Sequence, residues 1–263
     1  MSGATSDLVV TSVDRGVGVI TLNRAAKHNA INDEMHHAMT AAVLWADESP
    51  DVRCVLIRAE GKSFSSGRDT TVLGQRTEGE SDYDFIRGHQ AMRIRQHDST
   101  KPWIAAIRGH ALGGAFELAL TTDIRIAASD ARMGFPEVRF GIMTDTGGAP
   151  LATMLAGPSR AKWLLMTGEL IDAERALSWG LVDEVVAPDE LDATALDLAV
   201  RIAAGPPLAV SMIKQIVDGV WDGQWRAGLR AELLAQSALF ASADYAEAKA
   251  ARREDRPPIF KRT

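Results

Sequence analysis

Short apolar runs recur along the first half of the chain, and each is bounded by turn-forming or charged residues. Runs of this length, rich in valine and isoleucine, predict β-strands. The predicted strands lie at 8–13, 17–22, 52–58, 103–107 and 124–128. The first two are separated by Asp14-Arg15-Gly16, which supplies a turn.

Helical patterns lie between these strands. Asn32 or Asp33 caps one predicted helix, whose apolar residues share one face at three- and four-residue spacings. These apolar residues are Met35, Met39, Val43 and Leu44. A second helix starts near Gly113 and reaches Leu120. Strands that alternate with helices indicate an α/β fold.

The composition changes after about Thr144, where alanine, leucine and charged residues dominate. This pattern predicts a series of helices, and Gly205-Pro206-Pro207 is a clear break between two of them. The predicted helices lie at 148–156, 159–166, 172–179, 188–204, 207–220 and 226–241. We therefore expect an α/β core over residues 1–200 and a helical carboxyl-terminal region over residues 201–263.

Composition and charge exclude several classes of protein. The chain has 263 residues, of which 46% are hydrophobic, so it can bury a substantial core. Its formal net charge of -6 disfavours a nucleic-acid-binding protein, which would present a basic face.

The single cysteine, Cys54, lies in an apolar run and cannot form an intramolecular disulfide, which favours a buried thiol and a reducing compartment. Residues 1–7 show no secretory signal, and no apolar run approaches the roughly 18 residues that span a bilayer, so we expect a cytoplasmic protein without a membrane partner.

Two glycine-containing segments follow predicted strands, at 62–69 and 109–117. Glycine lets a ligand approach the backbone closely, and a helix start presents unpaired N–H groups. Two such loops side by side would form an oxyanion hole, although Gly113-Gly114 is equally compatible with tight packing of a strand against a helix. Neither segment matches the GxxxxGK[ST] or GxGxxG pattern of nucleotide-binding proteins.

Four stretches carry a more specific signal. They are LNRAAKHNA at 22–30, FSSGRD at 64–69, GHALGGAFELA at 109–119, and FPE at 135–137 followed by Gly141 and Gly147-Gly148. With the ending Phe260-Lys261, they resemble the motifs of the enoyl-CoA hydratase/isomerase (crotonase) superfamily, although Ala25 stands where proline is usual. The resemblance covers nearly the whole chain. It implies a crotonase-like spiral of repeated β-β-α units, with a helical carboxyl-terminal region that builds a homotrimer or a hexamer of two trimers.

The resemblance also implies a catalytic mechanism. The backbone N–H groups of Arg68 and Gly114 would bind the oxygen of an acyl-CoA thioester and stabilise the oxyanion that forms during reaction. Glu117 would orient and deprotonate water, and Glu137 would hand a proton to Cα. Coenzyme A is part of the substrate, so no separate cofactor is expected. The histidines show no metal-ligand spacing, and we expect no metal.

A bent coenzyme A would lie along 24–30 and 68–71, with a further contact near the end of the chain. The implied substrate-binding residues are Arg24, Lys27, His28, Ala30, Ser66, Arg68, Asp69, Thr70, Thr71, Gly113, Gly114, Phe260 and Lys261. The arginine at position 68 is unusual, because small or apolar residues are common there in the family. Its side chain either points to solvent or contacts coenzyme A or a polar group of the acyl chain.

A third acid keeps the reaction open. Asp145 lies where simple hydratases usually carry glycine, and it resembles the dienoyl-CoA isomerase and dehalogenase branches. The first hypothesis is hydration of a trans-2-enoyl-CoA by Glu117 and Glu137. The second is double-bond isomerisation by Glu137 and Asp145, unless Asp145 only caps the following helix. The third is a non-catalytic acyl-CoA-binding protein, in which Ala115 and Phe116 misplace Glu117.

Overall fold

A computed structural model describes residues 6–261 of the chain. The larger of its two sheets has the strand order β1-β2-β3-β4-β6-β9, in which β1 and β2 are antiparallel and the remaining neighbours are parallel. Its strands are β1 (Val9–Asp14), β2 (Val17–Leu22), β3 (Cys54–Ala59), β4 (Trp103–Ile107), β6 (Ile124–Ala128) and β9 (Glu184–Val186). The five predicted strands are all present, each within two residues of its expected bounds.

A smaller sheet lies beside the functional segments. It contains β5 (His110–Leu112), β7 (Arg132–Gly134) and β8 (Ile171–Asp172). The pairs β4-β5 and β6-β7 each give one strand to each sheet, and each pair is followed by a helix, α3 (Gly114–Leu120) or α4 (Gly148–Ala156). This repetition is the β-β-α unit that the resemblance implies.

The other helices surround these sheets. They are α1 (Asp33–Glu48), α2 (Asp82–Asp98), α5 (Pro158–Thr167), α6 (Ala173–Ser178), α7 (Leu191–Ala203), α8 (Pro207–Gly219), α9 (Asp222–Phe240) and α10 (Ala243–Arg253). Short 3-10 helices lie at Ala25–Lys27 and Pro136–Phe140. The predicted α/β class is confirmed. The pattern missed α2, because Gln90, Arg93 and Gln96 occupy buried positions that would ordinarily be apolar.

The predicted capping of α1 is confirmed at Asn32, whose Oδ1 accepts a hydrogen bond from Met35 N at 3.0 Å. Met35, Met39 and Val43 are buried as expected, but Leu44 is 36% exposed, so its place on the apolar face was wrong. Cys54 is buried in β3, as its apolar surroundings predicted. The two buried clusters of the core lie against β3 and β4, which places the ends of these strands next to the glycine segments.

Helix α8 carries apolar side chains on its exposed face. They are Leu208, Met212, Ile213, Ile216 and Val217. The homotrimer or hexamer stays a prediction.

Within residues 6–261 no single helix has both the length and the apolar composition to cross a membrane, and α7 with α8 reaches both only as a pair bent by 108°.

Candidate active site

The two glycine segments lie against each other. Phe64 N donates to Arg108 O at 2.7 Å, Ser65 N donates to His110 O at 2.9 Å, and Leu112 N donates to Ser65 O at 3.1 Å. These bonds extend the small sheet beyond β5, so the loops that follow both segments emerge at the same place. The segments predicted to hold the oxyanion are therefore neighbours.

Glycine is required at two positions of this contact. Gly67 has φ +84°, and a Cβ added to it would lie 2.5 Å from Leu112 O. Gly113 has φ +55°, and a Cβ added to it would overlap the carboxylate of Glu137. Both positions combine a left-handed backbone with a close approach that no side chain permits. The motif glycines thus bring the backbone of one loop against the other and against Glu137.

Two backbone N–H groups are left available by this arrangement. Gly114 is the first residue of α3, so its N–H has no acceptor inside the helix. Around Arg68, the bonds to Ile31 are made by Gly67 O and Asp69 N, which directs the N–H of Arg68 away from Ile31. The shared binding of a thioester oxygen by Arg68 and Gly114 stays a prediction.

The amino terminus of α4 holds Glu117 in place. Oε1 of Glu117 accepts hydrogen bonds from Thr146 N at 2.9 Å and from Gly148 N at 2.8 Å. Unpaired N–H groups and the positive end of the helix dipole attract a carboxylate there. The other oxygen, Oε2, lies 3.7 Å from where a Cβ on Gly114 would be. One oxygen of Glu117 is therefore anchored and the other is beside the predicted oxyanion hole.

A second glutamate binds the same turn and was missed from the sequence. Oε1 of Glu232 accepts from Thr144 Oγ1 at 2.7 Å and from Ala149 N at 2.8 Å, and Oε2 accepts from Gly147 N at 2.7 Å. Glu232 lies on α9 and is buried. Burial raises its pKa to about 8, and the charge of Glu117 adds to the rise. Its position between Leu229 and Leu233, on the buried face of the helix, was the available signal.

Glu137 differs from Glu117 in its hydrogen bonding. It lies on the 3-10 turn after β7, and the residue as a whole is half-buried. Its Oε2 is buried without a hydrogen-bond partner in the described part of the chain. Burial and the nearby charge of Glu117 raise the pKa of Glu137 well above its ordinary value. The pKa of Glu117 is also raised by burial, but the N–H groups of Thr146 and Gly148 oppose that rise. These environments favour the proton on Glu137 over Glu117.

Asp145 lies on the turn before α4, the turn that Glu117 and Glu232 bind. Burial raises its pKa to about 7, with a further contribution from Glu117. Its Oδ2 accepts from Gln236 Nε2 at 3.4 Å, and the amino-terminal cap of α4 is Gly147, without a side-chain bond. The alternative role of Asp145 as a helix cap is therefore wrong.

Glu117, Glu137 and Asp145 line a cavity of about 340 Å³ together with Gly113 and Gly114. Four arginines also line this cavity, namely Arg68, Arg76, Arg93 and Arg139. Arg93 lies on α2 and donates from Nη2 to Gly114 O at 2.9 Å. Burial lowers its pKa to about 10, while the charges of Glu117 and Asp145 oppose the shift. Sequence reasoning missed Arg76 and Arg93 at this site.

The segments expected to bind coenzyme A are tied together. Arg24 Nη1 forms an ion pair with Asp69 Oδ2 at 2.7 Å and donates to Ala30 O at 2.8 Å. The hydrogen bond from Arg24 holds the pKa of Asp69 at about 2. Ser66 N donates to His28 O at 2.9 Å, so 28–31 and 66–69 run side by side. Arg24 therefore binds protein groups, whereas Lys27 and His28 are exposed.

A second cavity, of about 590 Å³, adjoins the first at Thr70 and is also lined by Thr71. The cations Lys249, Arg252 and Arg253 of α10 line it, and sequence reasoning missed them. Arg252 Nη2 donates to Thr70 Oγ1 at 3.2 Å. The second cavity therefore places positive charge beside the segment 68–71.

The end of the described chain lies along α10. Ile259 N donates to Glu247 Oε1 at 2.9 Å, and Lys261 N donates to Asp244 Oδ1 at 2.7 Å. Phe260 remains 46% exposed. Contact of Phe260 and Lys261 with coenzyme A stays a prediction.

His97, Asp98 and Asp222 place their side-chain oxygen and nitrogen atoms within 4.8 Å of one another, away from both cavities. Arg226 donates to Asp98 at 2.6 Å and to Asp222 at 2.7 Å. A guanidinium between the two carboxylates accounts for this group as an ion-pair network.

Known proteins resemble the chain over nearly its whole length. The family model described as enoyl-CoA hydratase/isomerase matches residues 12–263. A probable enoyl-CoA hydratase of Mycobacterium bovis is 33% identical over 97% of this chain and 98% of its own. A carnitinyl-CoA dehydratase of Salmonella arizonae is 38% identical over 92% of this chain and 94% of its own. The crystal structure of an enoyl-CoA hydratase/isomerase from Pseudoalteromonas atlantica has a TM-score of 0.89 and 28% identity, covering 97% of this chain and all 100% of its own.

These matches confirm the resemblance seen in the four motifs and the crotonase-like fold. The chain belongs to the enoyl-CoA hydratase/isomerase family, whose members act on acyl-CoA thioesters.

Proposed function

We propose that this protein is an enoyl-CoA hydratase, which adds water across the 2,3 double bond of a trans-2-enoyl-CoA to give a 3-hydroxyacyl-CoA. The observation that carries the proposal is the different environment of two acids in one cavity. Glu117 has one oxygen anchored by two N–H groups, whereas Glu137 has a buried oxygen without a partner among residues 6–261. Hydration needs one carboxylate base and one carboxylic acid, and these environments favour that division.

The oxyanion hole would activate the substrate. The N–H groups of Arg68 and Gly114 would donate to the thioester oxygen and withdraw electrons from the double bond. Attack at Cβ then builds negative charge on that oxygen, and each preorganised donor is worth about 3–4 kcal/mol at such a charge. Backbone donors suit this task because they require no particular side chain, so an arginine can occupy position 68.

The two glutamates would move the protons. Glu117 accepts a proton from water as its oxygen bonds to Cβ, and Glu137 gives its proton to Cα. Positioned acids and bases of this kind contribute about 10²–10⁴ each to the rate. The proton gained by Glu117 then returns through solvent to Glu137, which restores both groups. The net charge of the two acids stays constant through the cycle, because Glu117 gains one proton as Glu137 loses one.

Coenzyme A would extend from the first cavity into the second. Of the predicted contacts, Arg68 lines the first cavity, Thr71 lines the second and Thr70 lines both, while the segment 24–30 runs beside 66–69. The cations Lys249, Arg252 and Arg253 supply the positive charge that phosphates require. Coenzyme A would be part of the substrate, with no further cofactor. We also propose a cytoplasmic homotrimer or hexamer, which the exposed apolar face of α8 supports.

Asp145 supports isomerisation as a second candidate. It lines the same cavity, and its pKa of about 7 suits a group that both accepts and donates a proton near neutral pH. In this reaction Glu137 and Asp145 would move a proton between carbons of the acyl chain. The similarity to a hydratase and to a dehydratase, which by its name removes water, favours hydration.

A panel of trans-2-enoyl-CoA and 3-enoyl-CoA thioesters of increasing length tests both candidates. The wild type, Glu117→Gln, Glu137→Gln and Asp145→Asn are compared by loss of the conjugated absorbance and by mass spectrometry of the products. Hydration adds the mass of one water to the product. We expect both glutamine variants to lose at least about 100-fold in rate. Asp145→Asn should retain hydration but abolish isomerisation. Tight binding of every thioester without any product would instead identify the non-catalytic alternative.

A further inference from the structure

The cavity contains an unpaired set of cationic donors. Nε and Nη1 of Arg93, Nε and Nη1 of Arg68, and Nη2 of Arg76 are buried and have no hydrogen-bond partner among the described residues. All three side chains line the cavity that holds Glu117 and Glu137. Neither the proposed hydration nor the oxyanion hole uses these side-chain nitrogens, so their role is unassigned.

Arg93 is the deepest of the three, at 3% exposure. Its one hydrogen bond runs from Nη2 to Gly114 O, and it forms no ion pair with any carboxylate between residues 6 and 261. An unpaired buried charge is costly, and its partner is ordinarily an anion with matching geometry. The charges of Glu117 and Asp145 act on Arg93, but neither acid bonds its Nε or Nη1, so these donors point to an anion from outside the protein.

The two other guanidinium groups are held in fixed orientations. Arg76 packs its guanidinium 3.8 Å from the ring centroid of Phe85 and 4.5 Å from that of Phe240, while Nε pairs with Asp82 at 2.8 Å. Arg68 Nη2 pairs with Asp33 at 2.5 Å. Each group thus keeps one edge on a protein carboxylate and leaves other nitrogens unpaired. Such preorganised forks favour a planar carboxylate.

The neighbouring histidines add no charge. His36 and His89 line the cavity and stack at 4.0 Å. Burial and the nearby arginines lower the pKa of His36 to about 2, and burial lowers that of His89 to about 4. His89 Nδ1 donates a hydrogen bond to Phe85 O at 2.9 Å, so in the neutral ring Nε2 is an acceptor. The positive field of this region comes from the arginines.

The phosphates of coenzyme A are a poor match for these donors. Arg93 contacts the carbonyl of Gly114, the residue whose N–H is proposed to bind the thioester, so it lies near the acyl group. The cations suited to phosphates lie in the second cavity, on α10. The anion that Arg93 meets therefore belongs to the acyl chain.

We propose that the preferred substrate is an enoyl-CoA whose acyl chain ends in a carboxylate, bound by the unpaired nitrogens of Arg93 together with those of Arg68 and Arg76. The inference rests on the proposed function for the reaction but not for the ligand class. A cavity built to bond a substrate group discriminates strongly against an analogue that lacks it, because its own polar atoms then stay unpaired.

The test compares chains that differ only at the far end. Six-carbon trans-2-enoyl-CoA thioesters ending in a carboxylate, an amide or a methyl group are assayed for kcat/KM. The matching saturated thioesters are titrated by calorimetry for Kd. The wild type should prefer the carboxylate by at least tenfold in both measurements. Arg93→Met and Arg76→Gln should lose that preference in both measurements. Arg87→Gln is the matched control, since Arg87 lies on α2 with its side chain 66% exposed.

The outcomes separate the two proposals. Equal Kd values for the carboxylate and methyl-ended ligands on the wild type overturn the inference, even where hydration is normal. A tenfold preference in Kd without hydration of any thioester supports the ligand class and rejects the hydratase. Arg76→Gln is the decisive variant if Arg93→Met does not fold, because Arg76 is only half-buried. A preference that persists unchanged in Arg76→Gln and in every folded Arg93 variant contradicts the assignment of these residues.

Discussion

Replacing Glu232 with alanine should destabilise the protein and slow it at the same time. The substitution removes the acceptor of three hydrogen bonds, which come from Thr144 Oγ1, Gly147 N and Ala149 N. Each donor left unpaired in a buried site costs about 1–3 kcal/mol. Because the freed turn relaxes partly toward water, we expect a loss of about 3–6 kcal/mol, a large share of the 5–15 kcal/mol typical of a domain.

The loss should reach the site through Glu117. Thr146 N and Gly148 N anchor Glu117, and they alternate along the turn with the two N–H groups that bind Glu232. Loosening the turn therefore moves the proposed base, and we expect the hydration rate to fall at least tenfold. Thermal unfolding at one fixed protein concentration should show a melting temperature lower by about 10 °C or more.

Two controls isolate the cause. Glu232→Gln keeps one carbonyl oxygen and should lie between wild type and Glu232→Ala. Gln224→Ala changes an exposed residue on the same helix and should leave melting temperature and rate unchanged. A melting temperature within about 2 °C of wild type for Glu232→Ala, with a normal rate, would refute the reasoning that these bonds hold the turn.

Further predictions concern the acids and the glycine loops. The unfolding free energy should fall as pH rises from about 4.5 to about 8, because the raised pKa of Glu232 lets the folded state bind more protons than the unfolded state. Denaturant titrations at several pH values test this, and Glu232→Gln should show a weaker dependence of unfolding free energy on pH. The hydration rate should fall at high pH as Glu137 loses its proton, and rate measurements from pH 5 to 10 should show it. Gly113→Ala should lose about 1–3 kcal/mol of stability and also activity, because position 113 has φ +55° and the new Cβ would overlap Glu137. Calorimetry and the hydration assay test this. Asn29→Ala should melt well below wild type, because its side chain bonds Arg24 N, Glu60 O and Ser63 O.

The motifs were informative from sequence because they fix the backbone. Asn29 is fully buried at φ +52°, and its amide joins the main chain at Arg24 to the main chain of the segment 60–63. Gly113 admits the carboxylate of Glu137. Residue types with such strict local demands produce a recognisable pattern, which predicted the fold and the segments that meet at the cavity.

The remaining part of the site depends on tertiary packing. Gln90 Nε2 donates to both Asp145 O and Leu229 O at 2.8 Å, which joins α2 and α9 to the turn before α4. Through this packing Arg93 and Glu232 reach the acids from far along the chain. Arg93 replaces an apolar residue in the pattern of α2, so periodicity hides it, whereas Glu232 shows only as a polar residue on the buried face of α9. No local signal states which side chains distant helices bring together.

The most direct test of the mechanism is isotopic labelling of one turnover. A trans-2-enoyl-CoA is incubated with the wild type in deuterated water that carries ¹⁸O, and the product is analysed by mass spectrometry. Two acids acting across the double bond predict one ¹⁸O on C3 and one deuterium on C2, with both labels lost in Glu117→Gln and Glu137→Gln. Deuterium in a shifted alkene without any ¹⁸O, or full labelling in the Glu137→Gln product at the wild-type rate, would contradict it.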